Sequence, residues 1–266
     1  MEHKKPLPPQ ENIQVTSLAD GIFELSVPPV GFITYLILGS ERAALIDTGM
    51  GVGSLKQHVD RLTDLPVTVI NTHGHPDHCG GNYEFNETRI NPDDNDVFEK
   101  MACLEFRQDD IAHMPGGAEL ARALQPTASL PKPLEDGQVI DLGGRMLQII
   151  FAPGHTHGSL CVYDEETKSL FTGDNVMQRV SLHEWNSSPI SVYRDTLKKL
   201  IELKPDRVLG GHRPNVNGPE LMEKLLRCVE RALSGEKGEL KSMRGTMAYV
   251  LEEDGVNFDY TEDHLG

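Results

Sequence analysis

Thr72-His73-Gly74-His75-Pro76-Asp77-His78 packs four ligand-type side chains into six residues, and no regular helix or strand can turn all four to one side. A loop has to present them. Just upstream, Val67-Thr68-Val69-Ile70 is a short β-branched run that reads as a buried strand. The cluster therefore sits at the carboxyl end of a strand, where α/β sheets commonly place their chemistry. His73 and His75, two apart, point together in extended backbone, while the turn imposed by Pro76 carries Asp77 and His78 round to a second position. One cluster can thus start two sites.

The same placement recurs downstream. An apolar run within Arg145 to Phe151 leads into Pro153-Gly154-His155-Thr156-His157-Gly158. Leu170-Phe171-Thr172 leads into Gly173-Asp174, and Arg207-Val208-Leu209 into Gly210-Gly211-His212. Each strand end delivers one ligand-type residue with glycine beside it, which lets the backbone pass close to an ion. A lone histidine is more often a surface or hydrogen-bonded core residue than a ligand, and His3, His58, His113, His157, His183 and His264 are assigned that way. The cluster at 73–78 is different, because polar side chains crowded together without a cation would bury unpaired charge at a cost of several kcal/mol. Together with His155, Asp174 and His212, it reads as a metal site.

The 266 residues, 38% of them hydrophobic, can bury a large core, and they read as one domain over 1–266 with an insertion. Met1 to Glu11 is charged and proline-rich, with no apolar stretch like a signal peptide, and no segment is long and apolar enough for a membrane span. The expected compartment is the cytoplasm, with no membrane partner. Net charge is −16, from 41 acidic and 25 basic residues, which repels phosphate backbones and argues against a nucleic-acid partner. Cys79, Cys103, Cys161 and Cys228 form no CxxC pair and suggest no disulfide framework. Cys79 follows His78 directly, but a small buried cysteine packed at the start of the next helix explains it, and it is left out of the site.

Residues 22–27, 33–38 and 43–47 read as a three-stranded meander. A helix follows with Leu55, Val59 and Leu62 at helical spacing. From 92 to 133 the pattern becomes loosely amphipathic and helical (Val97, Met101, Leu104, Ile111, then Leu120 and Leu124), broken at Pro115-Gly116-Gly117. This insertion is a candidate active-site lid, or else helical padding of the sheet. Strands are expected near 138–142, 146–151, 159–164 and 169–172. One helix from Ser191 carries Tyr193, Leu197, Leu200 and Ile201, and another runs from Pro219 to Leu233. The alternating runs 246–251 and 256–260, joined across Glu252-Glu253-Asp254-Gly255, signal a β-hairpin. In the loop after Asp174, Arg179, His183 and Trp185 could reach a substrate, but such a loop is exposed by default.

HxHxDH, then a histidine in a PGHTxG-type loop, an aspartate after a strand and a final histidine: this series resembles the metallo-β-lactamase superfamily, from about Leu18 to about Leu233. The resemblance implies an α/β fold, the four-layer αβ/βα sandwich, with a dinuclear site on its edge and insertions that often cover the mouth. Carried over by position, His73, His75 and His155 would hold a first metal, Asp77, His78 and His212 a second, and Asp174 would bridge both. Asp47, in Leu45-Ile46-Asp47-Thr48-Gly49, matches an aspartate that supports the ligands from behind, although an aspartate before glycine is also ordinary turn chemistry.

Histidine and carboxylate without cysteine suit two divalent ions, zinc foremost, with iron, manganese or cobalt compatible. Two ions roughly 3.5–4 Å apart would share Asp174 and a hydroxide, which attacks a carbonyl or phosphoryl centre. Asp77 could orient or deprotonate the attacking water, so the candidate catalytic residues are Asp77 and Asp174. The THxHxDHxGG, PGHTxG and GD stretches resemble the glyoxalase II-like branch, which favours an ester or thioester of a small molecule, but that enzyme's basic C-terminal helical domain is missing. A lactonase would gain from a tyrosine where this chain has Met177, and β-lactamases with HxHxDH generally lack the bridging aspartate. A lactonase or phosphodiesterase remains an alternative on the same site. A sulfur dioxygenase of the same fold would use one iron on the first three histidine positions, and the intact Asp77, His78 and His212 argue for two ions instead.

Overall fold

Strands that are apolar along their whole length set the architecture, because they have to be covered on both faces. β3 (Phe32–Leu38) and β4 (Ala43–Ile46) are buried almost throughout. In the computed structural model, which describes residues 13–265 apart from 20, 28–30, 114–116, 127–128 and 244, they sit in the middle of a sheet. It also contains β1 (Gln14–Ala19), β2 (Ile22–Val27), β5 (Val67–Ile70), β6 (Thr88–Ile90) and β7 (Lys132–Pro133), ordered β1-β2-β3-β4-β5-β6-β7. β1 to β4 pair antiparallel and β4 to β7 parallel. A second sheet is formed by β8 (Val139–Asp141), β9 (Met146–Phe151), β10 (Leu160–Asp164), β11 (Ser169–Gly173), β13 (Arg207–Gly210) and β14 (Val216–Asn217).

The two sheets close on each other over one core. Ile22, Ile37, Ala44, Ile46 and Ile70 of the first meet Leu147, Ile149, Leu160, Val162 and Phe171 of the second. Each fully buried leucine, isoleucine, valine or phenylalanine among them contributes about 1.5–3 kcal/mol. Helices cover the outer faces. α1 (Leu55–Leu62), whose N-terminal amides are capped by Ser54 accepting from Gln57 N, places Leu55 and Val59 against Leu36, Leu45 and Val69. On the other side α6 (Ile190–Glu202) and α7 (Glu220–Leu233) lay Tyr193, Leu197, Leu200, Leu225 and Val229 over Leu170 and Val208. The result is the helix–sheet–sheet–helix sandwich that the sequence implies.

In two regions the structure adds to the sequence reading. The insertion carries helices α3 (Asn95–Met101), α4 (Leu104–Ala112) and α5 (Gly117–Ala123), after the single turn α2 (Pro76–Cys79). It begins at β6 and returns to the same sheet through β7, strands too short to show a period. Of the expected break, Pro115 and Gly116 lie outside the described residues, and α5 starts at Gly117. The tail is more than a hairpin. β16 (Thr246–Glu253) and β17 (Val256–Tyr260) pair as expected, but β15 (Glu239–Met243) joins one side and β12 (Arg179–Leu182) the other, giving a third sheet ordered β12-β17-β16-β15. The loop after Asp174 is therefore partly a strand, fixed by pairing with a segment about eighty residues later. No helix among the described residues is long and apolar enough to cross a membrane.

Candidate metal centre

β4, β5, β9, β11 and β13 all end on one edge of the sandwich, because β9 and β11 run in the same direction and β11 pairs parallel with β13. Their ends carry Asp47, His73, His155, Asp174 and His212 respectively. Main-chain bonds stitch the two sheets together there, with Leu160 N donating to Thr72 O at 2.8 Å and Ile33 N to Gly211 O at 3.2 Å. Two glycines permit this closeness. A Cβ on Gly211 would lie 2.6 Å from His78 Cε1 and 2.7 Å from Asp174 Oδ1. Gly173 has a positive φ of 51°, and a Cβ there would lie 2.3 Å from Thr72 Oγ1.

The residues expected to act together do come together. His73, His75 and His155 each offer an atom within 4.8 Å of the others, and the same holds for Asp77, His78 and His212, and for His73, His78 and Asp174. Asp174 reaches both sides: Oδ1 is 3.3 Å from His78 Nε2, and Oδ2 is 3.2 Å from His212 Nε2 and 3.9 Å from His155 Nε2. His212 Nε2 is also 3.2 Å from Asp77 Oδ2.

Three of the rings, those of His78, His155 and His75, are turned by a partner behind them. Asp47, held at a positive φ of 62°, accepts from Thr72 N at 2.7 Å and Thr72 Oγ1 at 2.8 Å, and from His78 Nδ1 at 2.8 Å. His155 Nδ1 donates to Ser181 O at 3.0 Å, and its backbone N donates to Asn175 Oδ1 at 2.9 Å. Tyr193, a core residue as expected, donates from its hydroxyl to Asn175 O at 2.7 Å. His75 Nε2 lies 2.7 Å from the side-chain amide of Asn186, whose Oδ1 is buried without a partner among the described residues. With that amide turned over, Oδ1 accepts the Nε2 proton and the Nδ1 lone pair is left facing His155.

The donor set fits a cation. His73 Nε2, His78 Nε2 and Asp174 Oδ1 are buried and lack a hydrogen-bond partner among the described residues, and His155 Nε2 faces His75 Nδ1 at 3.0 Å. Lone pairs aimed at one another repel unless positive charge lies between them. Electrostatics agree. Burial, followed by the neighbouring imidazoles, holds His73 well below the usual range and brings His75 down to about 4, so both are neutral, as ligands must be. On the other side burial also disfavours charge, but Asp174 and Asp77 outweigh it and lift His212 to about 10; Asp174 and Asp47 do the same for His78. The carboxylates therefore call for positive charge, a proton on these rings or a metal in its place.

The profile of the metallo-β-lactamase superfamily matches residues 33–212. The chain belongs to that superfamily. Acyl-coenzyme A thioesterase MBLAC2 of Homo sapiens is 35% identical over 245 residues, covering 82% of this chain and 85% of the relative. The Bos taurus protein of the same name is 34% identical over 243 residues, with 82% and 85% covered. Among solved structures, TTHA1623 in a di-iron-bound form superposes with a TM-score of 0.59 at 25% identity, covering 76% of this chain and 97% of that one.

Within this superfamily fold, Cys79 stays apart from the site: its thiol donates to His75 O at 2.9 Å, and burial raises it well above the usual thiol range. The loop of Arg179, His183 and Trp185 is not exposed throughout, as a loop would be by default. Trp185 is exposed as expected, but His183 is buried and tied to Asp259 of β17. Sequence reasoning also misses Asp94. Fully buried, it accepts from Gly74 N at 2.6 Å, Gly158 N at 2.9 Å and Thr156 Oγ1 at 2.9 Å, so the first residues of the insertion clamp both ligand loops. Asn91-Pro92-Asp93-Asp94 signals a turn, with nothing to single out the second aspartate.

Proposed function

We propose that the protein is a metal-dependent hydrolase that cleaves the thioester, or a related ester, of a small acyl substrate. The convergence of the three ligand groups around Asp174 carries this reading, and the thioesterase activity for which the MBLAC2 relatives are named supports the thioester as the bond attacked. His73, His75 and His155 would hold one divalent ion, Asp77, His78 and His212 a second, with Asp174 shared. A histidine and carboxylate set suits zinc and accepts iron or manganese, and the di-iron form of TTHA1623 supports a pair of ions. Ions bound there supply Lewis acidity toward the carbonyl and a water acidic enough to react at neutral pH.

The chain's own groups do the rest. Asp77 lines the cleft beside His212 and is placed to orient the attacking water and accept its proton. Asp174 joins the two halves of the site. The cleft measures about 810 Å³, within the range of small-molecule sites. Phe32, Met101 and Phe106 are among the residues that line it and offer apolar surface for the acyl chain. Turnover of a panel of thioester, ester, lactone, phosphodiester and β-lactam by zinc-loaded and manganese-loaded protein tests the reading. Preference for thioester or ester, abolished by a chelator, is expected; preference for any of the other three would replace it.

A further inference from the structure

The third sheet contributes a polar stretch of the cleft wall. Arg179 and Ser181 of β12, Asn257 of β17, and His183 just beyond β12 all line it. Asp259 organises this side from within. Completely buried, it accepts from Ser181 Oγ at 2.9 Å and Arg179 Nε at 3.2 Å, and it holds His183 through Nδ1.

Asp259 has the Arg179 guanidinium as its counter-charge, and its hydrogen bond with Nδ1 fixes the tautomer of the His183 imidazole: the proton sits on Nδ1, and Nε2 carries the lone pair. His183 lines the cleft, and no hydrogen bond to its Nε2 is found among the described residues. An oriented acceptor left open at the wall of a cleft calls for an N–H or O–H on the bound molecule.

We propose that His183 is a specificity-determining residue, accepting a hydrogen bond from an amide N–H on the thiol side of the substrate, with Asp259 as the positioning residue behind it. This rests on the thioester reading above and narrows it. The acyl chain takes the apolar residues of the cleft, and the thiol portion takes the polar residues of the third sheet. This wall adjoins the ligands, since Ser181 O, two residues before His183, accepts from His155 Nδ1 at 3.0 Å, and a thiol of the cysteamine type carries its amide N–H only two carbons from sulfur. A simple alkyl thiol offers nothing to His183 and would leave Nε2 without a partner.

The test compares two thioesters of one acyl group, hexanoyl N-acetylcysteamine and hexanoyl butanethiol, on the metal-loaded wild type, His183→Asn and His183→Ala, with metal content measured throughout. The asparagine keeps an N–H toward Asp259 in place of Nδ1 but has no atom at Nε2. The wild type is expected to favour the amide-bearing substrate by about five- to tenfold in kcat/KM, the worth of one hydrogen bond. In both variants the loss should fall on that substrate and bring the ratio close to one. An unchanged ratio in both variants, or an equal fall on both substrates, would overturn the assignment while leaving the thioester reading intact. A wild type that hydrolyses neither substrate would overturn that reading, and this inference with it.

Discussion

Asp47 Oδ2 accepts the Nδ1 proton of His78 at 2.8 Å, while Nε2 of the same ring lies 3.3 Å from Asp174. One carboxylate thus sets the tautomer that aims the opposite nitrogen at the centre of the site, and it also ties Thr72, the residue before His73. Asp47→Ala removes that support while leaving every ligand in place. Metal affinity should fall about 10–100-fold, the usual range for such supporting groups; competition with a chromophoric chelator measures it. Unchanged affinity would mean that packing alone orients His78.

Asn186 stands behind His75 as Asp47 stands behind His78. On the proposed two-ion site, Asn186→Ala should weaken binding of one equivalent by about 10-fold or more and leave the other nearly unaffected. Isothermal titration with zinc resolves the two steps, and an equal loss in both would contradict the division of ligands drawn here.

Asp94→Ala strips an acceptor from Gly74 N, Gly158 N and the Thr156 hydroxyl at once. Leaving buried donors unsatisfied costs about 1–3 kcal/mol each, so a loss of about 3 kcal/mol or more in unfolding free energy is expected. Urea unfolding of the metal-free chain reads this without interference from bound ions.

Protons and metals should compete at the Asp77, His78 and His212 end. Without metal, His212 is raised from 6.5 to about 10 by Asp174 and Asp77 despite its burial. Its contribution to stability is complete below pH 6.5 and is lost as pH rises toward 10. The metal-free chain should therefore become less stable across that window. Metal binding at neutral pH should release protons and strengthen as pH rises. Titration calorimetry in two buffers of different ionisation enthalpy counts the protons released; none released would refute the charged state assigned to His212.

Legibility in the sequence follows the range of the interactions. His73, His75, Asp77 and His78 are readable because four ligand types crowded into one loop after a β-branched strand would bury unpaired charge unless a cation joined them. His155, Asp174 and His212 are readable because each ends an apolar run beside glycine. Leu55, Val59 and Leu62 announce α1 through period alone. Asp259 is hidden, because a single aspartate in an alternating strand looks like a solvent-facing residue until β12 pairs beside it. For the same reason the 179–182 segment reads as loop: four residues carry little pattern, and their partner lies far along the chain. Arg107 has no mark of its own in the amphipathic pattern of the insertion. It is nevertheless buried, donating to Met50 O at 3.1 Å, Gly80 O at 2.8 Å and Gln125 O at 2.6 Å. Residues that satisfy distant backbone groups leave no local signature.

The most direct test of a shared site titrates zinc into metal-free protein while hydrolysis of an acyl thioester is followed, for the wild type and for Asp174→Ala. Activity is expected to climb until two equivalents per chain are bound and to fall by at least about 100-fold in Asp174→Ala, an effect of a few kcal/mol on the barrier. Full activity at one equivalent, or an Asp174→Ala protein as fast as the wild type, would contradict a shared site.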